Sequence, residues 1–150
     1  MKASDIVHNV VKDKLRRDEV VASMTVRLVR GVEIARLAAT AGFDMIYVDL
    51  EHSTLSLEAT GQICQAALGV GVTPMVRVPA NRPDFVQRVL DAGALGIIAP
   101  GVRSAEEARA VVVASKFAPL GERGAGGALP QWSSGLSRPP RQTPPSTTLR

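Results

Sequence analysis

The sequence predicts an α/β protein with a parallel sheet, and two observations support this fold class. One N-terminal helical pattern is followed by four strand-then-helix units of about 25 to 30 residues each. The predicted strands are short and apolar throughout, which is typical of parallel strands buried on both faces. Consecutive units of this kind build a doubly wound sheet or a barrel, and four of them amount to half of a (β/α)8 barrel.

The first elements are predicted from the spacing of apolar residues. Ser4 is a suitable N-cap for an amphipathic helix with an apolar stripe. A β-rich run over residues 20–29 predicts the first strand, which ends before Gly31. In the next helix, Gly42 stands where a left-handed residue commonly ends a helix. The residues of this helix that we expect to face inward are Ile34, Leu37, Ala38 and Ala41.

The other elements follow from similar patterns and from residues that begin or end helices. Pro83 suits the first turn of a helix, and Ser104 with Glu107 three residues later forms a capping box. The elements predicted in order are a strand over 45–49, a helix over 57–68 closed by Gly69, a strand over 74–78, a helix from Pro83 to about Gly93, a strand over 96–99 and a helix from Ser104 to about Lys116.

The composition is that of an ordinary soluble globular domain, with 150 residues of which 45% are hydrophobic and 21% charged. No apolar run approaches the roughly 18 residues of a membrane helix, and the N-terminal residues are too charged for a signal peptide. We therefore expect a cytoplasmic protein without a membrane partner. With a single cysteine, Cys64, and two histidines, an internal disulfide and a Cys/His zinc cluster are excluded, so any metal must rest mainly on oxygen ligands.

The excess positive charge lies at the C-terminal end of the chain. Residues 1–122 hold 14 basic and 14 acidic residues, so the net charge of +4 comes from four arginines among the last 28 residues. A nucleic-acid-binding face needs basic residues clustered on folded surface, so we expect no nucleic-acid partner. Binding of nucleic acid by the arginine-containing tail is a weak alternative.

The C-terminal end also loses the pattern of a folded domain. The glycine-rich loop over 121–127 lacks the preceding strand and following helix of a phosphate-binding loop, so we predict a plain flexible loop. Residues 131–150 are rich in proline, serine and arginine and poor in large apolar side chains, which predicts an unstructured tail. The predicted domain therefore spans residues 1–130.

Candidate functional residues are found where the predicted strands end, because loops at the C-terminal ends of barrel strands share one mouth. Asp49 ends the second strand and His52 lies three residues later, close enough for the carboxylate to accept the imidazole N–H and support a general base. The alternative is that Asp49 caps the loop and His52 is a solvated loop histidine. Glu51 is either a second acid of the site or a surface residue.

Arg77 is an isolated charge in the apolar strand over 74–78. Burying a guanidinium without a partner is too costly, so this side chain must reach a carboxylate or the open mouth. One possibility is an internal ion pair with Asp49 or Glu51, and the other is an anionic substrate or a developing enolate. Cys64 has apolar neighbours in its predicted helix, and we interpret it as a packing residue rather than a nucleophile.

Four segments together resemble the HpcH/HpaI aldolase and citrate lyase family. They occur in the family's order and spacing, and their combination is much more specific than any one segment. The resemblance implies a (β/α)8 barrel of the phosphoenolpyruvate/pyruvate superfamily, of which this chain carries the N-terminal half. The segments are AGFDMIYVDLEHS (41–53), TPMVRVPAN (73–81), VLDAGALGIIAPGVRSAEEARAVV (89–112) and PLGERGAGGALP (119–130).

The resemblance also implies a reaction, a cofactor and roles for three residues. The family is typified by metal-dependent, class II type aldolases that cleave a 4-hydroxy-2-oxo acid to pyruvate, or a close analogue, and an aldehyde. A divalent cation, Mg2+, Mn2+ or Co2+, is expected to polarise the bound carbonyl. By position in the shared motifs, His52 matches the catalytic histidine, Asp49 its partner in the base dyad, and Arg77 the arginine that binds substrate and stabilises the enolate oxygen. The implied partners are a small 2-oxo acid and, in full-length relatives, further copies of the chain.

The sequence departs from the family in two respects. Leu50 stands where the family often has glycine. Full members have roughly 250 residues, the usual size of such a barrel, and their metal-binding Glu and Asp lie in later blocks of the kind V-x-x-E-T and G-P-x-D-L, which do not occur here. We therefore expect no metal ligands in this chain. The alternative function is a truncated, non-catalytic fragment that acts at most as an oligomer or interaction module.

Overall fold

Four parallel strands and their connecting helices make up the computed structural model, which describes residues 8–126 and 129–133. The strands are β1 (Ser23–Val26), β2 (Met45–Asp49), β3 (Thr73–Arg77) and β4 (Gly96–Ile98). The helices of the described residues are α1 (Val10–Arg16), α2 (Glu33–Thr40), α3 (Leu57–Gly69), α4 (Pro83–Asp91), α5 (Ala105–Ser115) and α6 (Pro130–Ser133).

The sheet order is β1-β2-β3-β4, so strands that follow one another in the chain are also neighbours in the sheet. All three pairs are parallel, and one helix connects each pair. This is the arrangement of a (β/α)8 barrel, of which four units make half. The α/β class and the partial barrel predicted from the sequence are confirmed.

The apolar core lies between one face of the sheet and helices α2, α3 and α4. Ile46 of β2 and Val76 of β3 are fully buried in one cluster with Ile63 of α3 and Val86 of α4. Because side chains alternate along a strand, Tyr47 lies on the opposite face, where it is partly exposed. The helices therefore cover one face of the sheet, and the polar groups of the strand ends lie towards the other.

The first strand is shorter than the sequence predicts. The predicted strand covered residues 20–29, whereas β1 pairs with β2 only from Ser23 to Val26. In the described part of the chain β1 has no strand on its other side, so the apolar residues that flank it gain little burial there; Leu28 is 94% exposed. The consequence is that Arg27 directly follows the last paired residue.

The buried face of α2 also differs from the prediction. Ile34, Ala35 and Ala38 are buried, whereas Leu37 is 60% exposed and Ala41 lies at the exposed C-cap. The inward orientation predicted for Leu37 and Ala41 is therefore wrong. The two buried alanines are small and allow this side of the helix to approach the sheet closely, which turns Leu37 towards solvent.

Several helix ends follow the predicted signals. Gly42, after α2, has a φ of 81°, in the left-handed region that favours glycine. Ser104 Oγ accepts the N–H of Glu107 at 3.1 Å, while Glu107 Oε2 accepts the N–H of Arg103 at 2.7 Å, so the predicted capping box reaches back one residue further. After α3 the left-handed residue is Gly71, with a φ of 78°, two positions beyond the predicted one.

Helix α1 begins at Val10, later than the sequence predicts. The side chain of Asn9 caps it by accepting a backbone N–H of the first turn at 3.0 Å, and the predicted cap Ser4 lies outside the described residues. Lys14 Nζ lies 2.7 Å from Asp44 Oδ1, which attaches α1 to the chain entering β2. This ion pair lowers the pKa of the Asp44 carboxyl.

The chain that follows α5 packs back against α4. Residues 121–126 contain no helix or strand, in agreement with the predicted loop, but Arg123 holds them in place. Its Nη2 lies 2.6 Å from Asp91 Oδ1, and its guanidinium carbon lies 4.6 Å from the ring centroid of Phe117. The described part of the loop is thus connected to the end of α4.

The described chain ends with α6, which crosses the predicted domain boundary after residue 130. Gln131 is buried and donates through Nε2 to the carbonyl of a residue in the last turn of α4. The predicted unstructured tail beyond Ser133 lies outside the described residues. Within the described ranges, none of the helices has both the length and the apolar character needed to cross a membrane.

Candidate active site

Two charged residues from neighbouring strands meet at the carboxyl-terminal rim of the sheet. Asp49 and Arg77 end β2 and β3 and are direct partners in the strand register. Arg77 donates from Nε to Asp49 Oδ1 at 2.9 Å and from Nη2 to Oδ2 at 2.6 Å. The Asp49 side chain is buried, whereas that of Arg77 is 22% exposed. This two-point contact confirms the predicted ion pair and fixes the guanidinium at the rim.

The same carboxylate organises the loop after β2. Asp49 Oδ1 accepts the backbone N–H groups of Glu51 at 3.0 Å and His52 at 3.2 Å, and Ser53 Oγ donates to the Asp49 carbonyl. Hydrogen bonds from Arg77 and then from these amides hold the pKa of the Asp49 carboxyl well below its usual range, against the effect of burial. Asp49 is therefore ionised at neutral pH.

The predicted hydrogen bond between the Asp49 carboxylate and the His52 imidazole is not present. The oxygens of Asp49 are occupied by arginine and by the loop amides, and the loop turns the imidazole outwards, where the side chain is 58% exposed. The acid nearest to the imidazole is Glu51, with 3.5 Å between His52 Nε2 and Glu51 Oε2. The alternative reading of Asp49 as a loop cap and His52 as a loop histidine is the observed geometry.

Arg77 contacts more groups than Asp49 alone. Its Nε lies 3.1 Å from Glu51 Oε2, and its guanidinium carbon lies 5.5 Å from the ring centroid of Tyr47. The hydrogen bonds to Asp49 raise the pKa of Arg77, so the guanidinium stays charged, while burial raises the pKa of Tyr47, so the phenol stays neutral. The contacts within the described chain use Nε and Nη2 of Arg77 and leave Nη1 for another acceptor.

Arg27 is a member of this cluster that the sequence did not identify. Its Nε lies 2.9 Å from Asp49 Oδ2, and its side chain is 46% exposed. The rule that functional groups follow strand ends would have selected it, but the predicted first strand continued to Val29 and hid that position. Arg27 and His52 both line a cavity of about 630 Å³ at this rim.

The described residues do not fit a divalent metal ion. In residues 8–126 and 129–133 no group of three or more His, Cys, Asp or Glu side chains is arranged to hold one. Asp49 and Glu51, the two acids of the rim, already contact arginine. Cys64 is fully buried in α3, and burial raises the pKa of its thiol to about 12, which agrees with its interpretation as a packing residue.

Comparison with known proteins identifies the family. A 4-hydroxy-4-methyl-2-oxoglutarate aldolase of Hapsidospora irregularis is 46% identical over 123 residues, which are 81% of this chain and 46% of that protein. An aldolase of the same name from Chaetomium globosum is 45% identical over 123 residues, again 81% of this chain and 46% of that protein. The crystal structure of an HpcH/HpaI aldolase from Desulfitobacterium hafniense superimposes with a TM-score of 0.76 at 38% identity, covering 87% of this chain and 48% of that one.

The matches cover most of this chain but only part of each relative. The chain spans about half the length of the curated relatives that it matches. The family model described as HpcH/HpaI aldolase/citrate lyase matches residues 30–139, which is well over half of the chain. That range contains the loop after β2 and the arginine that ends β3. The chain belongs to the HpcH/HpaI aldolase/citrate lyase family.

Proposed function

We propose that this chain supplies the base and the enolate-stabilising arginine of a carbon–carbon lyase. The proposed reaction is aldol cleavage of a 4-hydroxy-2-oxo acid to pyruvate, or a close analogue, and an aldehyde or ketone. The observation that carries the proposal is the two-point contact of Asp49 with Arg77, beside His52, at the rim where barrel enzymes hold their substrates. Family membership supports the reaction class.

The proposed steps use three side chains. The imidazole of His52 accepts the proton of the substrate's C4 hydroxyl, the C3–C4 bond breaks, and its electron pair passes into an enolate whose oxygen is on C2. Nη1 of Arg77 donates to that oxygen and stabilises the charge as it develops. The protonated His52 then returns this proton to C3 of the enolate, which leaves as pyruvate, and the neutral base is restored. Asp49 acts as a positioning residue, because it orients both Arg77 and the loop that carries His52.

Glu51 takes the place that the sequence suggested for Asp49. It is the acid nearest to the imidazole, and the 3.5 Å separation allows it to support the protonated form of His52 during the reaction. It also contacts Arg77, so the loop acid connects the base with the enolate-stabilising group. We therefore assign the orientation of His52 to Glu51.

The divalent cation implied by the family would supply polarisation of the substrate carbonyl when bound. Since the described residues do not offer a set of ligands for it, no step above depends on it. Its acids are expected in the part of the relatives that this chain does not cover. Homo-oligomer formation and a cytoplasmic location are likewise part of the proposal.

The test measures pyruvate release from 4-hydroxy-4-methyl-2-oxoglutarate with Mg2+, Mn2+ or Co2+ supplied. The pyruvate is detected by a coupled lactate dehydrogenase assay. We expect His52→Ala and Arg77→Ala each to lower the rate about 100-fold or more, since each removes proton transfer or charge stabilisation. Arg82→Ala is the control, because Arg82 pairs with Asp84 on the exposed start of α4. Pyruvate release that survives both site substitutions would remove the assigned roles.

A second candidate function is supported by the lack of a metal-ligand set among the described residues. A chain that lacks the ligands in its described part and has one sheet neighbour for each of β1 and β4 could act as a non-catalytic module that associates with another subunit or a complementary half barrel. Calorimetry of the isolated chain distinguishes the two. Tight binding of the metal together with turnover would refute the non-catalytic function.

A further inference from the structure

Tyr47 lies beside the charged residues of the rim, but it has no part in the steps proposed for the reaction. Side chains alternate along a strand, so Tyr47 and Asp49 of β2 lie on the same face of the sheet. The ring of Tyr47 also reaches the next strand, where its centroid lies 5.5 Å from the guanidinium carbon of Arg77. The phenol is therefore a neighbour of the group that is proposed to stabilise the enolate.

The hydroxyl of Tyr47 is an unused donor within the described chain. In residues 8–126 and 129–133 no backbone or side-chain group forms a hydrogen bond with it, although the residue is only partly exposed. Tyrosine hydroxyls that are withdrawn from water usually have a hydrogen-bond partner. Burial and then the charge of Asp49 raise the pKa of this phenol, so it keeps its proton at neutral pH and remains able to donate.

The surroundings of the phenol indicate the kind of acceptor that it would meet. The charged side chains that act on it electrostatically are Asp49, Arg77, Arg27 and Glu51. Both acids already contact arginine, whereas the contacts of Arg77 within the described chain leave its Nη1 unused. An anionic oxygen bound at Nη1 would lie on the guanidinium that the ring contacts, where the phenol can donate to it as well.

We propose that the hydroxyl of Tyr47 donates a hydrogen bond to the C2 oxygen of the substrate, beside the hydrogen bond from Arg77 Nη1. This inference rests on the proposed function, which places that oxygen at Arg77. Negative charge collects on the oxygen as the C3–C4 bond breaks, and two fixed donors stabilise it more than one. The phenol keeps its proton throughout, because His52 both removes and returns the proton that the reaction transfers. Tyr47 is thus a further catalytic residue of the site.

The first test is Tyr47→Phe, which removes the hydroxyl and keeps a ring against Arg77. We expect kcat for pyruvate release to fall about tenfold to 100-fold with little change in KM, since the lost contact strengthens in the transition state. Oxalate is a planar dianion that resembles the enolate of pyruvate, and calorimetry on the full chain should show it binding about tenfold more weakly to Tyr47→Phe. Ser115→Ala is the control, because it removes a hydroxyl that donates to the Val111 carbonyl within α5, and it should change neither quantity.

The second test observes the phenol directly, because the chain has a single tyrosine. A chain labelled with carbon-13 at the tyrosine Cζ gives one such NMR signal. We expect saturating oxalate to shift this signal, and chloride at the same ionic strength to leave it in place. An unshifted signal at saturation, an unchanged kcat and oxalate affinity in Tyr47→Phe, or an equal effect of Ser115→Ala overturns the inference.

The two tests also separate this inference from the proposed function. Pyruvate release that depends on His52 and Arg77 but not on the Tyr47 hydroxyl refutes only the role of Tyr47. A signal shifted by oxalate, together with weaker oxalate binding to Tyr47→Phe but no pyruvate release, refutes only the proposed reaction. If the unsubstituted chain does not bind oxalate, the inference is overturned as well.

Discussion

Two arginines and two backbone amides converge on the carboxylate of Asp49, which makes this residue the centre of the rim. Its oxygens accept from Arg77 and from the loop amides, and Arg27 lies 2.9 Å away. Because the side chain is buried, loss of its negative charge would leave the Arg77 guanidinium without its charged partner. Asp49 therefore has a structural role in addition to its place in the proposed reaction.

Replacing this charge should destabilise the fold in a pH-dependent manner. We expect Asp49→Asn to lower the free energy of unfolding by about 2 kcal/mol at pH 7, since hydrogen bonds to a charged group are lost. The pKa of Asp49 is lowered in the folded chain, so its contribution is complete above the unfolded value of about 4 and is lost as the pH falls towards the lower folded value. Urea unfolding between pH 7 and pH 2 measures the difference.

The control for this prediction is Asp84→Asn, which removes an exposed ion pair with Arg82 at the start of α4. Exposed pairs contribute little, so no measurable loss is expected. The assigned role of the Asp49 pKa would be contradicted if the free energies of unfolding of Asp49→Asn and the unsubstituted chain differed by the same amount from pH 7 to pH 2.

At the residue level the sequence predicted which side chains lie at the rim better than it predicted their contacts. Asp49, His52 and Arg77 were selected because strand ends meet at one rim, and the Asp49–Arg77 pair follows directly from the parallel register. The contact between Asp49 and the imidazole did not form, because arginine and amide donors competed for the same oxygens. The sequence carries no signal for the outcome of such a competition. Arg27 was missed because the end of its strand was misplaced.

At the level of single elements, the glycines that end helices have opposite requirements. Gly42, after α2, has a φ of 81°, whereas Gly69 is the last residue of α3; a Cβ at either would meet no atom within 4 Å. We expect Gly42→Ala to destabilise the chain by about 1 kcal/mol, because alanine is strained in the left-handed region. Gly69→Ala should stabilise it by about 0.5 kcal/mol, because alanine favours the helix.

Thermal unfolding of the two alanine variants tests these opposite signs. Since neither substitution creates a clash, the backbone conformation alone decides the result. Equal shifts of the melting temperature in both variants would show that the left-handed conformation at Gly42 does not govern the end of α2.

The elements differed in how well the sequence specified them. The strand over 45–49 was predicted with the bounds that β2 has, because it is paired on both sides and buried. The first strand was predicted too long, since apolar residues such as Val20 and Leu28 favour a strand wherever a neighbour covers them, and none does in the described chain. Tertiary pairing, not local propensity, sets that boundary.

On the scale of the whole molecule, the sheet has two inner strands and two edge strands. In the described residues β2 and β3 are paired on both sides, whereas β1 and β4 are each paired on one side. We expect hydrogen exchange followed by mass spectrometry to show slower exchange for peptides covering 45–49 and 73–77 than for those covering 23–26 and 96–98, by about tenfold or more. If β1 and β4 exchanged as slowly as β2 and β3, further strands would have to pair at these two edges.

The four-unit topology was accessible from the sequence because each unit carries its own local signals for a strand, a helix and the turns between them. The side-chain contacts on the polar face of the described sheet were not accessible, because they join residues distant in the chain. The positions of α6 and Arg123 show the same limit, because both are fixed by contacts with α4 more than 30 residues earlier in the chain.

Cys64 gives the protein a built-in reporter of its own opening. It is the single thiol of the chain, it is fully buried, and burial raises its pKa. Alkylating reagents therefore cannot reach it while α3 stays packed against the sheet. The rate at which a maleimide labels Cys64 therefore measures how often α3 separates from the sheet and exposes the thiol. A ligand or a complementary half barrel that locks these layers together would register as slower labelling, with no need for a catalytic assay.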